Sequence, residues 1–196
     1  MKPTIQIFGD YLTNLSESQE YLIIGFSPGS VPLKQRWRNN GLSADFLADY
    51  FATFFPSSEN DRDDDERHNE IKSAIGYIAN ELIENAMKFN DSRRNKPIDI
   101  ALHLRSDRII FMITNSVAPE KVPGFQSYIK WILASDPADL YIEQLEKNAE
   151  SEQLEASQLG YLTILNDYDA KLGWKFESHD PDNVAIAVTS MVQLAV

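Results

Sequence analysis

Glu81, Asn85 and Lys88 stand at i, i+4 and i+7 of a segment whose apolar residues recur at helical spacing. That spacing lines up a carboxylate, an amide and an ammonium along one edge of a helix. A carboxylate such as Glu81 can take a proton from a nucleophile, an amide oxygen such as that of Asn85 can bind a hard cation, and Lys88 can meet phosphate. Tyr77 and Glu84 lie alongside. This is the equipment of a Mg-nucleotide site, although a solvated helix edge carries charged groups at the same spacings and the stripe alone leaves both readings open.

The helix that carries the stripe spans about 70–90, with Ile71, Ile75, Ile78, Leu82, Ala86 and Phe89 as its core face. Ahead of it, 4–8 and 20–26 read as edge or near-edge strands, and Ser43 as the N-cap of an aromatic-rich helix bearing Phe46, Leu47, Tyr50, Phe51 and Phe54 that stops at Pro56. Residues 57–70 read as an acidic linker. Asp61, Asp63 and Asp65 imitate the first ligands of an EF-hand loop, but Glu66 replaces the glycine and Lys72 the final glutamate, which argues against calcium. After the stripe helix, 98–104 alternates apolar and polar residues and 108–114 is apolar on both faces, predicting a hairpin with a more buried second strand and a solvated His103. Residues 117–156 form a helical insertion, with Asp136-Pro137 starting its second helix. Ser157 opens a further helix stopped by Gly173, and strands at 174–177 and 184–194 close the chain around a turn at 179–183. The fold class is α/β: a single-domain α+β sandwich over 1–196, with a mixed, largely antiparallel sheet covered on one face by helices.

The chain has 196 residues, with 18 Lys and Arg against 30 Asp and Glu, a net charge of −12. So acidic a chain is a poor binder of nucleic-acid backbone, which is held by Lys and Arg displacing counterions. With no cysteine and three histidines it has no disulfide framework, no thiolate zinc site and little for a histidine metal site. The opening Met-Lys-Pro-Thr-Ile holds no apolar run of signal-peptide length, and no later stretch approaches a membrane span, so the chain reads as cytoplasmic.

The segment Asn80-Glu81-Leu82-Ile83-Glu84-Asn85-Ala86-Met87-Lys88-Phe89-Asn90 resembles the N-box of the GHKL (Bergerat-type, histidine kinase-like) ATPases, and the order of elements resembles that fold over about 20–194. Glu81 with Asn85 is similar to the pattern of the RsbW-like and SpoIIAB-like anti-sigma factor serine kinases, while Lys88 and Asn90 look more like the histidine-kinase version. The resemblance implies Glu81 as general base, Asn85 as Mg²⁺ ligand, and ATP with Mg²⁺ as cofactors. Two family boxes are degenerate. An Asp-x-Gly-x-Gly turn that meets adenine reads Asn115-Ser116-Val117-Ala118-Pro119 here, and a phosphate-cradling Gly-x-Gly keeps Gly160 alone. A side chain at a lost glycine obstructs the close backbone approach that phosphate requires. Asn115 and Gly160 remain the residues assigned to nucleotide, with Asn85 and Lys88, and the departures predict weakened or lost ATP binding.

The resemblance thus implies a regulatory protein of a partner-switching signal-transduction system, binding a STAS-type anti-sigma-antagonist or a sigma-factor-like protein, with a homodimer as the family's usual state. An active protein-serine kinase and a nucleotide-free α/β interaction domain are the alternatives. The insertion acts as lid. Its Tyr128, Trp131 and Leu133, with Ile129 and Ile132, are expected over the site instead of in the core, as partner-binding anchors ringed by charge.

Overall fold

The computed structural model describes residues 4–15, 18, 20–27, 33–55, 62–91, 93, 96–150, 159–178 and 186–196, with the backbone alone described at 33–38, 62, 149 and 150. Residues 57–61, the 151–156 end of the insertion, Ser157, Gln158 and the 179–183 turn lie outside the described residues. Six strands, β1 (Thr4–Gly9), β2 (Glu20–Phe26), β3 (Ile98–Leu104), β4 (Arg108–Val117), β5 (Lys171–Ser178) and β6 (Ile186–Ala195), form one sheet in the order β1-β5-β6-β4-β3-β2. Every pairing between neighbours is antiparallel, so the expected mixed sheet is antiparallel throughout its described pairs. Helices α1 (Leu33–Ala52), α2 (Arg62–Phe89), α3 (Val122–Leu133), α4 (Pro137–Glu150) and α5 (Gly160–Tyr168) accompany it.

The alternation predicted for 98–104 is what docks the sheet. Ile98, Ile100, Leu102 and Leu104 are buried and meet Ile109, Phe111 and Ile113 of β4, with Leu172, Trp174 and Val192 continuing that face. Helix α2 lies on it through Ile71, Ile75, Ile78, Leu82 and Ala86. Phe89, expected in this face, is 48% exposed. Helix α1 packs on α2 through Ala44, Leu47, Ala48 and Phe51.

Several boundaries differ from the sequence reading for physical reasons. The acidic stretch is not linker from 62 onward: it is the first turns of α2, where Asp63, Asp64 and Asp65 oppose the positive end of the helix dipole. A helix there also removes the EF-hand loop. Ser43 is no N-cap, since α1 begins ten residues earlier and the Ser43 hydroxyl donates to the Asn39 carbonyl one turn back at 2.8 Å. Gly173 does not stop α5. Asp169 does, with its backbone in the left-handed region (φ 46°) that a short polar side chain tolerates, and Leu172 and Gly173 already belong to β5.

Gly173 has another task. Strands β1 and β2 are the two sheet edges, so the connection between them crosses the face opposite the helices, about 24 Å at ordinary strand spacing. Its described residues are pinned along the way. The Asp10 amide donates to Leu172 at 2.8 Å, the Leu12 amide to the Met191 sulfur at 3.3 Å, and Arg105 to the Asn14 carbonyl at 2.7 Å. Ser18 and His103 pair at 3.1 Å, and Tyr21 stacks on the same imidazole, so His103 is half-buried instead of solvated. Burial and the nearby Arg105 lower its pKa. A Cβ at position 173 would stand 2.5 Å from the Tyr11 nitrogen, so this crossing requires glycine.

Candidate functional site

Where α2 ends, its polar edge faces the sheet end, the lid and the start of α5 across a cavity of about 650 Å³. The helix contributes Glu81, Glu84, Asn85 and Lys88, three to four residues apart as the stripe requires. Strand β4 adds Asn115, and Gly160 stands at the first turn of α5. All five residues assigned to catalysis or nucleotide therefore line one space, together with Tyr128 of the lid. Tyr77 turns instead to Tyr168, 5.6 Å between ring centres.

The end of α2 is fixed to the sheet by its own sequence. The Ser116 amide donates to Asn90 Oδ1 at 3.1 Å and the Asp91 amide to the Ser116 carbonyl at 2.7 Å. Asp91, nearly buried, takes two bonds from the Arg93 guanidinium at 2.8 and 3.0 Å, and Arg93 reaches Glu120 at 3.3 Å in the 3-10 turn that opens the lid. No local pattern in the sequence marks this clamp. Sequence reading also missed Glu120, Lys121, Phe125, Tyr161 and Ser190, which line the cavity from segments far apart in the chain. Only the sheet order brings these together. Tyr161 donates to Ser190 at 3.1 Å and meets the Trp174 ring edge-on at 5.5 Å, closing the cavity floor.

Electrostatics set the chemistry. Glu81 is half-buried, and desolvation followed by the neighbouring Glu84 raises its pKa above the usual carboxylate range. Glu84 is steadied by Asn80 at 3.1 Å. The Glu81 carboxylate lies against Gly160, where any Cβ would run into it. Lys88 extends over the Phe89 ring at 5.7 Å. Burial raises the Tyr128 phenol, with a smaller contribution from Tyr161.

These residues fit a Mg-nucleotide poorly. Asn115, expected at a turn, instead sits within β4 opposite Val188, and the strand runs on to Val117, so the glycine-rich turn has no counterpart. The start of α5, without a side-chain cap, would attract phosphate, but the Glu81 carboxylate stands there. Glu81, Glu84 and Glu120 outnumber Lys88 and Lys121 along the walls. Among the described residues no cluster of three or more His, Asp or Glu side chains could hold a metal.

The lid is helical, as expected, and Asp136 caps α4 by accepting from the Ala138 and Asp139 amides at 2.9 and 3.3 Å. Its anchors divide. Ile129 and Ile132 belong to the core, a correction to their placement over the site, and Leu140 joins them there. Tyr128 lines the cavity, whereas Trp131 and Leu133 do not. Trp131 is half-buried between Tyr128, 5.7 Å away, and the Lys147 ammonium, 5.6 Å from its ring centre. Among the lid's described residues, Leu133, Ile142 and Leu145 are the exposed large aliphatics.

Among the described residues, no helix is long and apolar enough to cross a membrane. No protein-family model matches the sequence, and no curated protein does. A chain in the crystal structure of the SiaB-SiaC complex from Pseudomonas aeruginosa is similar to this one at a TM-score of 0.55, covering 89% of each chain at 14% identity. At that identity the likeness is one of fold alone.

Proposed function

We propose that this chain is a regulatory protein of a partner-switching system, related in kind to the anti-sigma serine kinases, that acts by binding a STAS-type or similar signalling domain and has little or no affinity for ATP. The observation that carries the second half is the Glu81 carboxylate standing over Gly160. The last glycine of the phosphate box faces an anion of the protein's own, and a second anion there is opposed by Coulomb repulsion in a partly desolvated space. The first half draws support from the fold neighbour being part of a complex and from the lid's exposed Leu133, Ile142 and Leu145.

Calorimetric titration tests the reading. ATP with Mg²⁺ should give no saturable heat below about 1 mM, while a STAS-domain protein from the same cell should bind at micromolar concentration or tighter. Saturation by ATP in the low micromolar range would overturn the reading in favour of an active protein-serine kinase. Failure of STAS-type partners together with ATP would leave the nucleotide-free interaction domain.

A further inference from the structure

The cavity that fits a Mg-nucleotide poorly has the size and the walls of a site for a small molecule. At about 650 Å³ it falls within the range of such pockets, and much of its lining is apolar: Ile113 and Val117 from β4, Phe89 from the end of α2, Phe125 and Tyr128 from the lid and Tyr161 from α5. Burial raises the Tyr128 and Tyr161 phenols, so both rings stay neutral. Charge is spread unevenly over the rest. Lys88, Glu120 and Lys121 are exposed, and Glu120 meets Arg93 at 3.3 Å. Glu81 and Glu84 are half-buried, and Glu84 takes a bond from Asn80 at 3.1 Å.

Glu81 has no such partner. Among the described residues it makes neither a hydrogen bond nor an ion pair, and desolvation is the largest cause of its raised pKa. A carboxylate withdrawn from water costs free energy until a cation or donor meets it. Two amide oxygens share its walls. Asn85, one turn along α2, makes no hydrogen bond among the described residues, and buried Asn115 gives its nitrogen to the Ser116 carbonyl at 3.5 Å, which leaves its oxygen as an acceptor. One carboxylate and two amide oxygens form a set of acceptors that calls for donors, and the negative faces of the surrounding rings favour the same sign of charge. An anion would meet Glu81, and among the described residues a bare metal ion lacks the cluster of ligands it needs. On the reading that Glu81 keeps ATP out of this cavity, the geometry points to a small organic cation as its ligand: a protonated amine, guanidinium or amidinium that pairs with Glu81 and donates to Asn85 or Asn115, on a flat apolar body held against Phe125, Tyr128 and Tyr161.

Three probes that share an indole on a two-carbon arm read the preference for charge: the arm ends in an ammonium in tryptamine, a hydroxyl in tryptophol and a carboxylate in indolepropionate. In NMR titrations of the full chain at pH 7 and physiological salt, tryptamine should saturate with a Kd of about 1 mM or tighter, at least about ten-fold below that of tryptophol, and indolepropionate should not saturate. Glu81→Gln keeps the side chain's size and should erase the preference for tryptamine while leaving tryptophol binding as it was. Asp139→Asn makes the same change of net charge at an exposed position of α4 outside the cavity and should leave the preference intact. The ranking of the three probes on the parent chain needs no variant, so it decides the matter even if Glu81→Gln fails to fold. Equal affinity for tryptamine and tryptophol, tighter binding of indolepropionate, or binding of none of them would overturn the cation site. So would an equal loss of preference in Asp139→Asn and Glu81→Gln, which would reduce it to attraction by the acidic chain as a whole. A parallel titration with ATP and Mg²⁺ keeps the two readings apart. If neither ATP nor tryptamine binds, the cation site falls and the ATP-free reading stands; if ATP saturates in the low micromolar range, the ATP-free reading falls and the probe ranking alone decides for or against the cation site.

Discussion

Replacing Trp131 with alanine separates the lid's two roles. The indole meets Tyr128 of its own helix α3 at 5.7 Å and links α3 to α4 through a cation contact with Lys147 at 5.6 Å. A tilted aromatic pair is worth about 1 kcal/mol beyond its area, and a partly exposed cation–π contact about 0.5–1 kcal/mol. Trp131→Ala should therefore cost about 2 kcal/mol of stability. Its neighbour Ile132, 2% exposed in the core, should cost about 3–4 kcal/mol on truncation to alanine. For a chain of this size each kcal/mol lowers Tm by about 2–4 °C, giving about 4–8 °C for Trp131 against about 6–16 °C for Ile132. If Trp131 is also a partner anchor, its loss weakens affinity of the folded protein by about 2 kcal/mol, roughly thirty-fold, whereas Ile132→Ala leaves that affinity near the parent's. Thermal melts and calorimetry against a captured partner, both below the melting transition, give the two numbers. Lys147 also pairs with Glu143 at 2.5 Å, so a Trp131/Lys147 double-mutant cycle should return a coupling below the full cation–π value. A Trp131 variant that melts as low as the Ile132 variant while binding normally would refute the reasoning and move the interface off the lid.

Gly173→Ala places a methyl 2.5 Å from backbone nitrogen of Tyr11, so the crossing segment must lift; a loss of about 2–3 kcal/mol is expected, with faster hydrogen exchange at the Asp10 and Leu12 amides. Unchanged exchange there would show that the segment is not held by this contact. Asp136→Ala removes the α4 cap and should cost about 1 kcal/mol in urea unfolding; no change would mean that α4 starts without it. Glu81 supplies a pH test. Its folded pKa is raised, so its contribution to stability is full below the unfolded carboxylate pKa and is lost as pH rises through the folded value. Glu81→Gln should therefore gain on the parent protein in Tm between about pH 4 and pH 7, and a constant difference across that interval would place the carboxylate in water.

The site was legible because its main residues share one helix. At 3.6 residues per turn, Glu81, Asn85 and Lys88 can only lie along one edge, and the apolar face from Ile71 to Ala86 tells which edge is left free. Long-range partners were not legible. Ser190 reaches the cavity because β6 pairs with β4 in the register Ile113 to Ser190, a fact of topology that no local pattern carries. Local signals also misled where packing prevailed over propensity. Ser43 reads as a helix start, yet it lies within a continuous α1 held against α2, which begins at Leu33 and buries Asn40 to 3% exposure.

Helix α1 shows why a surface is harder to read than a site. Its apolar residues occupy two adjoining rows, Leu42, Phe46, Tyr50 and Phe54 on one side and Ala44, Leu47, Ala48 and Phe51 on the other, and together they cover most of the circumference. Periodicity reports that both rows are apolar; it does not report which row meets α2. Steric fit makes that choice. The row with two alanines can approach α2 closely, as the 3.6 Å spacing between Ala48 and a methyl built on Gly76 shows, and the row with three rings is left outward. The side that α1 turns away from its own core is thus a consequence of side-chain volume.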